Sequence, residues 1–260
     1  MTSRNGRALR APRQKQCEIG VIDAMLCLPD EGCCASSRRR IGEHQARDCK
    51  GSNWSMLAQT RPDMPVPPAR IRRGVPEADR RAAAELYWQA FGAKLGPVMG
   101  PRDRALAFIE RVMDSDHVLS AWDGSGRLLG VIGFRNSHGA FVGGTTEDLD
   151  AVYGPFGGLW RKLALSVLGT DLPGGVLAVD GLVVVDDARG TGIGAALIEA
   201  LSREARARGY RSLQLEVVDG NDRARALYER LGFLHAGWSR SFLAALFFGI
   251  RGSTSMQRPL

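Results

Sequence analysis

The stretch that most constrains this chain runs from Val176 to Val218. An apolar run, Val176–Val185, reads as a buried strand. A glycine-rich turn follows, Arg189-Gly190-Thr191-Gly192-Ile193-Gly194, and then an amphipathic helix and a second strand. Backbone N–H groups in such a turn, with the positive end of the helix dipole, form an anion site suited to a phosphate chain. The plain alternative is a turn that only joins strand to helix. Three glycines within five residues at a helix start exceed what a turn needs.

The neighbouring segments supply the rest of a mixed α/β domain. After the proline-rich boundary Pro62–Pro68, a short strand is expected at Ala69–Arg72. Pro76-Glu77 opens a helix with Ala83, Leu86, Tyr87, Ala90 and Phe91 on one face, ended by Gly92 and Gly96. A second helix spans Arg102–Met113, and His117–Trp122 and Arg127–Phe134 form a hairpin around Asp123-Gly124-Ser125-Gly126. Within residues 136–175, Thr146 is expected to cap a short helix, and Phe156–Leu168 a second one with Leu159, Trp160, Leu163, Ala164 and Val167 inward. Beyond the glycine turn, Ile193, Ala196, Leu197, Ala200, Leu201 and Ala205 make an apolar helical face, and Glu199 and Arg203 pair at i, i+4. Leu213, Leu215 and Val217 alternate with polar residues as in a half-buried strand. Asn221 caps a helix carrying Leu227, Tyr228 and Leu231, and strands at Phe233–Trp238 and Ser253–Pro259 flank an apolar connection, Phe242–Ile250. The order is β-α-α-β-β-insert-β-α-β-α-β-β.

Composition narrows the partners. Of 35 basic residues 31 are arginine, and the net charge of +7 is spread as +4 over residues 1–63 and +3 over the remaining 197. That is a weak footprint for nucleic acid, and none is expected as a partner. All five cysteines fall between Cys17 and Cys49 without a C-x-x-C pair, so neither a zinc site nor a disulfide framework is expected, and the setting is read as reduced and cytoplasmic. No run approaches the roughly 20 apolar residues of a membrane helix. Residues 1–63 lack periodicity and read as a disordered N-terminal extension to a domain at 64–260, or as the product of a start upstream of Met64.

Two blocks carry a family resemblance. Arg189-x-x-Gly192-x-Gly194 resembles the acetyl-CoA signature of the GNAT N-acetyltransferase superfamily. The run Asn221-Asp222-Arg223-Ala224-Arg225-Ala226-Leu227-Tyr228-Glu229-Arg230-Leu231-Gly232-Phe233 resembles that family's Asn-x-x-Ala-x-x-Leu-Tyr-x-x-x-Gly-Phe block, and Met256–Leu260 its last strand. The resemblance covers about Ala69 to Leu260, apart from an insert near 136–175. It implies the GNAT fold, a mixed twisted sheet that splays after the central strand, with acetyl-CoA entering at the splay as cosubstrate. It also implies direct transfer of the acetyl group to an amine on a small molecule or peptide, without a metal. A homodimer is among the assemblies expected, and no membrane partner is.

The resemblance distributes roles over named residues. Arg189, Gly190, Thr191, Gly192, Ile193 and Gly194 would hold the pyrophosphate, mostly through backbone N–H groups. A backbone N–H near Val184 would polarise the thioester carbonyl. Asn221 either bonds the pantetheine arm, caps its helix, or does both. Tyr228 is the expected general acid, since a phenol of pKa ~10 suits a departing thiolate; a core tyrosine is the alternative. Asp180, placed on one strand face with Leu182 and Val184, is the expected base, directly or through water, with Glu216 a weaker candidate. Two competing readings stay open. A non-catalytic acyl-CoA-binding protein needs the same turn. A dinucleotide-binding enzyme would use Gly190-x-Gly192-x-x-Ala195 and Glu216, 21 residues beyond Ala195, although only 44 residues follow that acid.

Overall fold

The computed structural model describes residues 69–166 and 172–260, together with the backbone of Ile19–Gly20. The expectations for residues 1–63, their cysteines and Met64, and for Val167 and Leu168, lie outside the described residues. The first half runs β1 (Ile19–Gly20), β2 (Arg70–Arg73), α1 (Arg80–Met99), α2 (Arg102–Val112), β3 (Val118–Trp122), β4 (Leu128–Asn136), β5 (Gly139–Ala140) and β6 (Gly143–Gly144). It continues through α3 (Thr146–Tyr153) and α4 (Pro155–Ser166). The second half is β7 (Val176–Val184), α5 (Ile193–Ala207), β8 (Ser212–Val218), α6 (Asp222–Arg230), β9 (Leu234–Ser239), α7 (Phe242–Phe248) and β10 (Ser253–Pro259).

The main sheet has the spatial order β2-β3-β4-β7-β8-β10-β9, with β5 paired to β4. Its pairs are antiparallel except β7–β8, where the α5 crossover brings the chain back in the same direction. That parallel pair is short: it holds Val176↔Ser212, Leu177↔Leu213 and Ala178↔Gln214, and ladder pairing ends there. The six residues of β7 beyond Ala178 and the far half of β8 therefore border an opening in mid-sheet. Alternating strand residues feed two cores. Val131 and Val183 pack with α1 and α2, whereas Ile132, Leu182, Leu215 and Val217 pack with α5 and α6.

Local sequence explains most elements. Asp123 Oδ1 accepts from the Ser125 and Arg127 N–H groups at 2.9 Å and sets the β3–β4 turn. Asn221 Oδ1 accepts from the Ala224 N–H at 3.1 Å and caps α6. Tertiary context shifts others. On α5, Ala196 is exposed while Ile198 and Ser202 are buried, and the Glu199 carboxylate binds Arg258 of β10 at 2.6 Å, a longer-range partner than the expected Arg203.

Four expectations about the helices are corrected. Helix α1 does not end at Gly92 or Gly96 but continues to Met99, because Phe91, Leu95, Val98 and Met99 extend its buried face. Gly92 is a packing requirement there: a Cβ at that position would lie 2.8 Å from the Trp88 indole. The cap of α3 is Thr145, which forms a reciprocal capping box with Asp148, and the Thr146 hydroxyl instead accepts from Lys162 Nζ at 2.6 Å. The apolar connection Phe242–Ile250 contains α7, capped by the Ser241 hydroxyl and closed by Gly249 at φ 67°.

The fourth correction concerns α4. Phe156, Leu159, Trp160 and Leu163 face outward, with exposures of 88, 65, 41 and 71%, while Gly158, Ala164 and Leu165 are buried. The inward side is fixed by Arg161, whose guanidinium stacks 3.9 Å over the Tyr153 ring and donates to the Gly100 and Gly157 carbonyls. A helix anchored through a glycine and an arginine turns its opposite, apolar side to solvent.

Candidate active site

The glycine turn leads from β7 into α5. Gly190 and Gly192 lie at φ 82° and 90°, a left-handed backbone that strains any L side chain, and a Cβ at either would meet nothing within 4 Å. Their inner surface is thus bare backbone facing open space. Gly194 is different: its Cβ position lies at ordinary contact distance, 3.7 Å, from Leu182, so alanine would fit there. The Gly192 N-cap supplies no side-chain hydrogen bond to the first turn of α5, whose N–H groups are directed out at the helix start. Thr191 pins the turn by donating its hydroxyl to the Ala188 carbonyl at 2.6 Å. Ile193 is buried beneath it. Arg189 folds back, its Nε donating to the Val184 carbonyl at 3.2 Å and its guanidinium pairing with Asp186 at 2.8 Å. In this position it braces the strand end and the turn.

Strand β7 carries a bulge at Asp180. Gly181 pairs with Gly133 and Val179 with Phe134, so Asp180 is an extra residue with no opposite number on β4. The bulge sends Asp180 and Gly181 to the same side. Leu182 and Val184 pack towards α5, whereas Asp180 accepts from the Val142 N–H at 3.4 Å on the α1 side. This corrects the expectation that Asp180 shares a face with Leu182 and Val184. Asp180 is 1% exposed. Tyr87 of α1 lies over the same point, its Cε2 3.5 Å from the Cβ position at Gly181. Its hydroxyl is buried without a hydrogen-bond partner among the described residues, an arrangement worth about 1–3 kcal/mol of lost stability. Burial first, and then the Asp180 charge, push the Tyr87 phenol well above the usual phenol range.

Val184 is half-buried at the end of β7. The Val185 N–H donates to the Leu129 carbonyl at 2.9 Å. Antiparallel alternation therefore turns the Val184 N–H and C=O away from β4, towards the opening beside β8. Tyr228 lies on α6, the helix that follows β8, within the α5–α6 core. It is 0% exposed and packs edge-on against Phe233 at 5.8 Å between centroids. Asn221 is buried at the start of the same helix, with its Oδ1 committed to the cap. Glu216 is half-buried on β8 and accepts from the Ser253 hydroxyl at 2.7 Å.

The structure thus brings Val184, Arg189 and the glycine turn together at one end of the opening. It sets Asp180 and Tyr228 on opposite faces of the sheet, Asp180 with the α1 core and Tyr228 with the α5–α6 core. In the sequence Tyr87 reads only as part of an apolar helix face, and Val142 carries no signal. The signal for the bulge was present in Asp180-Gly181, a polar residue and a glycine inside an apolar strand. Among the described residues, no three His, Cys, Asp or Glu side chains converge as a metal site, and no helix is long and apolar enough to cross a membrane.

Comparison with known proteins agrees with this geometry. The sequence profile described as "Acetyltransferase (GNAT) family" matches residues 80–233. No curated protein matches the chain. Among solved structures, one titled as the crystal structure of acetyltransferase is 20% identical and covers 73% of this chain and 98% of its own, with a TM-score of 0.50. An N-acetyltransferase from Staphylococcus aureus Mu50 is 16% identical and covers 73% of this chain and 100% of its own, also at 0.50. At such identities the structures speak for the fold, while the profile spans more than half of the chain. The chain belongs to the GNAT family of acetyltransferases.

Proposed function

We propose that the domain, taken as residues 64–260, moves the acetyl group of acetyl-CoA to a primary amine by direct attack in a ternary complex. The observation that carries this reading is the opening where β7 and β8 part, bordered by a turn of bare glycine backbone at the start of α5. A pyrophosphate fits such a turn because N–H donors and the helix dipole act on it together. The pantetheine arm then has the parted edges of β7 and β8 to lie along, with Asn221 near its path. Arg189 supports the site by bracing the turn.

Each chain residue has a separable task. The neutral amine nitrogen bonds to the thioester carbon, and Asp180 takes one of its N–H protons, directly or through water. The Val184 N–H stabilises negative charge on the carbonyl oxygen as it develops. The carbon–sulfur bond breaks, and Tyr228 gives its proton to the departing thiolate; loss of the Asp180 proton to solvent and uptake of one by the Tyr228 phenolate restore the resting state. Asp180 and Tyr228 on opposite sides of the sheet suit this division, because proton removal and proton delivery occur on opposite sides of the reacting carbon. Glu216 is less suited to the base role, since the Ser253 hydroxyl already engages its carboxylate. A cytoplasmic setting belongs to the same proposal and rests on the cysteine pattern.

A thiol-release assay with acetyl-CoA over a panel of amines tests the reading, alongside calorimetric titration with acetyl-CoA and NAD. Amine-dependent thiol release is expected. Acetyl-CoA binding without release on any amine would favour a non-catalytic acyl-CoA-binding protein, and NAD binding in its place would favour a dinucleotide enzyme.

A further inference from the structure

Tyr87 is a buried polar group that the transfer step above does not use. It sits on α1 at 1% exposure, against Phe91 at 4.6 Å and Phe141 at 5.9 Å between ring centroids. Its hydroxyl has no hydrogen-bond partner among the described residues. Phenylalanine would fill the same space without leaving a polar atom unsatisfied, so the hydroxyl lowers stability where it stands. The bulge at Asp180 turns Asp180 and Gly181 toward this ring, and Gly181 is what lets the ring approach: a Cβ there would lie 3.2 Å from Phe91 and 3.5 Å from Tyr87. The face of the sheet beneath α1 thus holds two buried polar side chains close enough to interact, the Asp180 carboxylate and the Tyr87 hydroxyl, in apolar surroundings.

We propose that the Tyr87 hydroxyl is a specificity-determining contact for the acceptor nitrogen, which is held between Tyr87 and Asp180 as it enters from the α1 side. The inference rests on the acetyl-transfer reading above. Its chemical basis is a count of N–H bonds. A neutral primary amine that attacks through its lone pair keeps two N–H bonds, one for each oxygen. A secondary amine or an alcohol has only one, which goes to Asp180, and leaves the Tyr87 oxygen unsatisfied in a dry site, which is the kind of mismatch that gives strong discrimination. The phenol keeps its proton because burial and the Asp180 charge both oppose its ionisation, so the hydroxyl oxygen accepts from the amine as a neutral group. Asp180 retains its task as base, and no proton is transferred to or from Tyr87.

Tyr87→Phe is the test, because it removes one oxygen atom and preserves the ring. The expected variant keeps acetyl-CoA affinity within about twofold by calorimetry and melts no lower than the parent. Its kcat/KM for a primary amine falls at least tenfold, mainly through KM, and its preference for primary over matched secondary amines collapses towards unity. A merely structural hydroxyl would leave that preference intact, and an unchanged ratio with unchanged kcat/KM overturns the inference. A lower melting temperature with weakened acetyl-CoA binding also overturns it, because the hydroxyl would then be supporting the fold. Thiol release by the parent protein separates the two levels. Release by the parent with an unaffected Tyr87→Phe variant removes this inference alone, whereas no release on any amine removes the proposed function and this inference with it.

Discussion

The two faces of the sheet are built by different rules. On the α5–α6 face, each element is delimited by residues within it or next to it: Gly192 starts α5, Asn221 caps α6, and Gly209 and Gly232 stop the two helices at positive φ. On the α1–α4 face, helices run through their own glycines, α4 turns an apolar stripe outward, and the Asp180 carboxylate arrives by a strand bulge. The first face is where a fixed phosphate-bearing cosubstrate is proposed to bind, and local backbone geometry suffices for that. The second is where a variable acceptor is proposed to enter, and its shape is set by packing between distant segments.

The sharpest way to break this comparison is on the first face. Gly192→Glu forces a side chain onto a left-handed backbone and places a carboxylate where the pyrophosphate is proposed to sit. Acetyl-CoA binding is expected to fall by roughly 10³-fold in calorimetry, each tenfold step being about 1.4 kcal/mol. Near-parental affinity would remove the turn from the site. Tyr228→Phe probes the link between the faces. Turnover is expected to fall by about 10²- to 10⁴-fold, with little change in acetyl-CoA affinity. Because Tyr228 is fully buried among Leu215, Val217 and Phe233, unchanged turnover would return it to a purely core role.

The second face is tested by stability. Leu165→Ala in α4 is expected to cost about 2–5 kcal/mol in chemical denaturation, since Leu165 is fully buried. Leu159→Ala is expected to change stability by under about 0.5 kcal/mol, because that side chain is 65% exposed. Equal losses at the two positions would restore the inward assignment of Leu159.

These expectations follow the division between what was legible in the chain and what was not. The glycine turn, the alternation of β8, the Asn221 cap and the bounds of β10 could be read directly, because each depends on residues adjacent in sequence. The orientation of α4 could not, because it depends on Arg161 finding Tyr153 and the Gly100 carbonyl. Helix α1 passes Gly92 because Leu95, Val98 and Met99 find buried partners beyond it, and the glycine is there to admit the Trp88 indole, not to stop the helix. Asp180 was legible as a residue and misread as a direction. One additional residue in β7 puts Asp180 on the opposite face, beside Tyr87.

A crystal structure with acetyl-CoA bound tests the central claim most directly. The account predicts the pyrophosphate on the backbone N–H groups of the Gly190–Gly194 turn, and the thioester carbonyl in the opening between β7 and β8, within hydrogen-bonding distance of the Val184 N–H. A cosubstrate bound elsewhere on the domain, or one whose thioester lies away from β7, would contradict it.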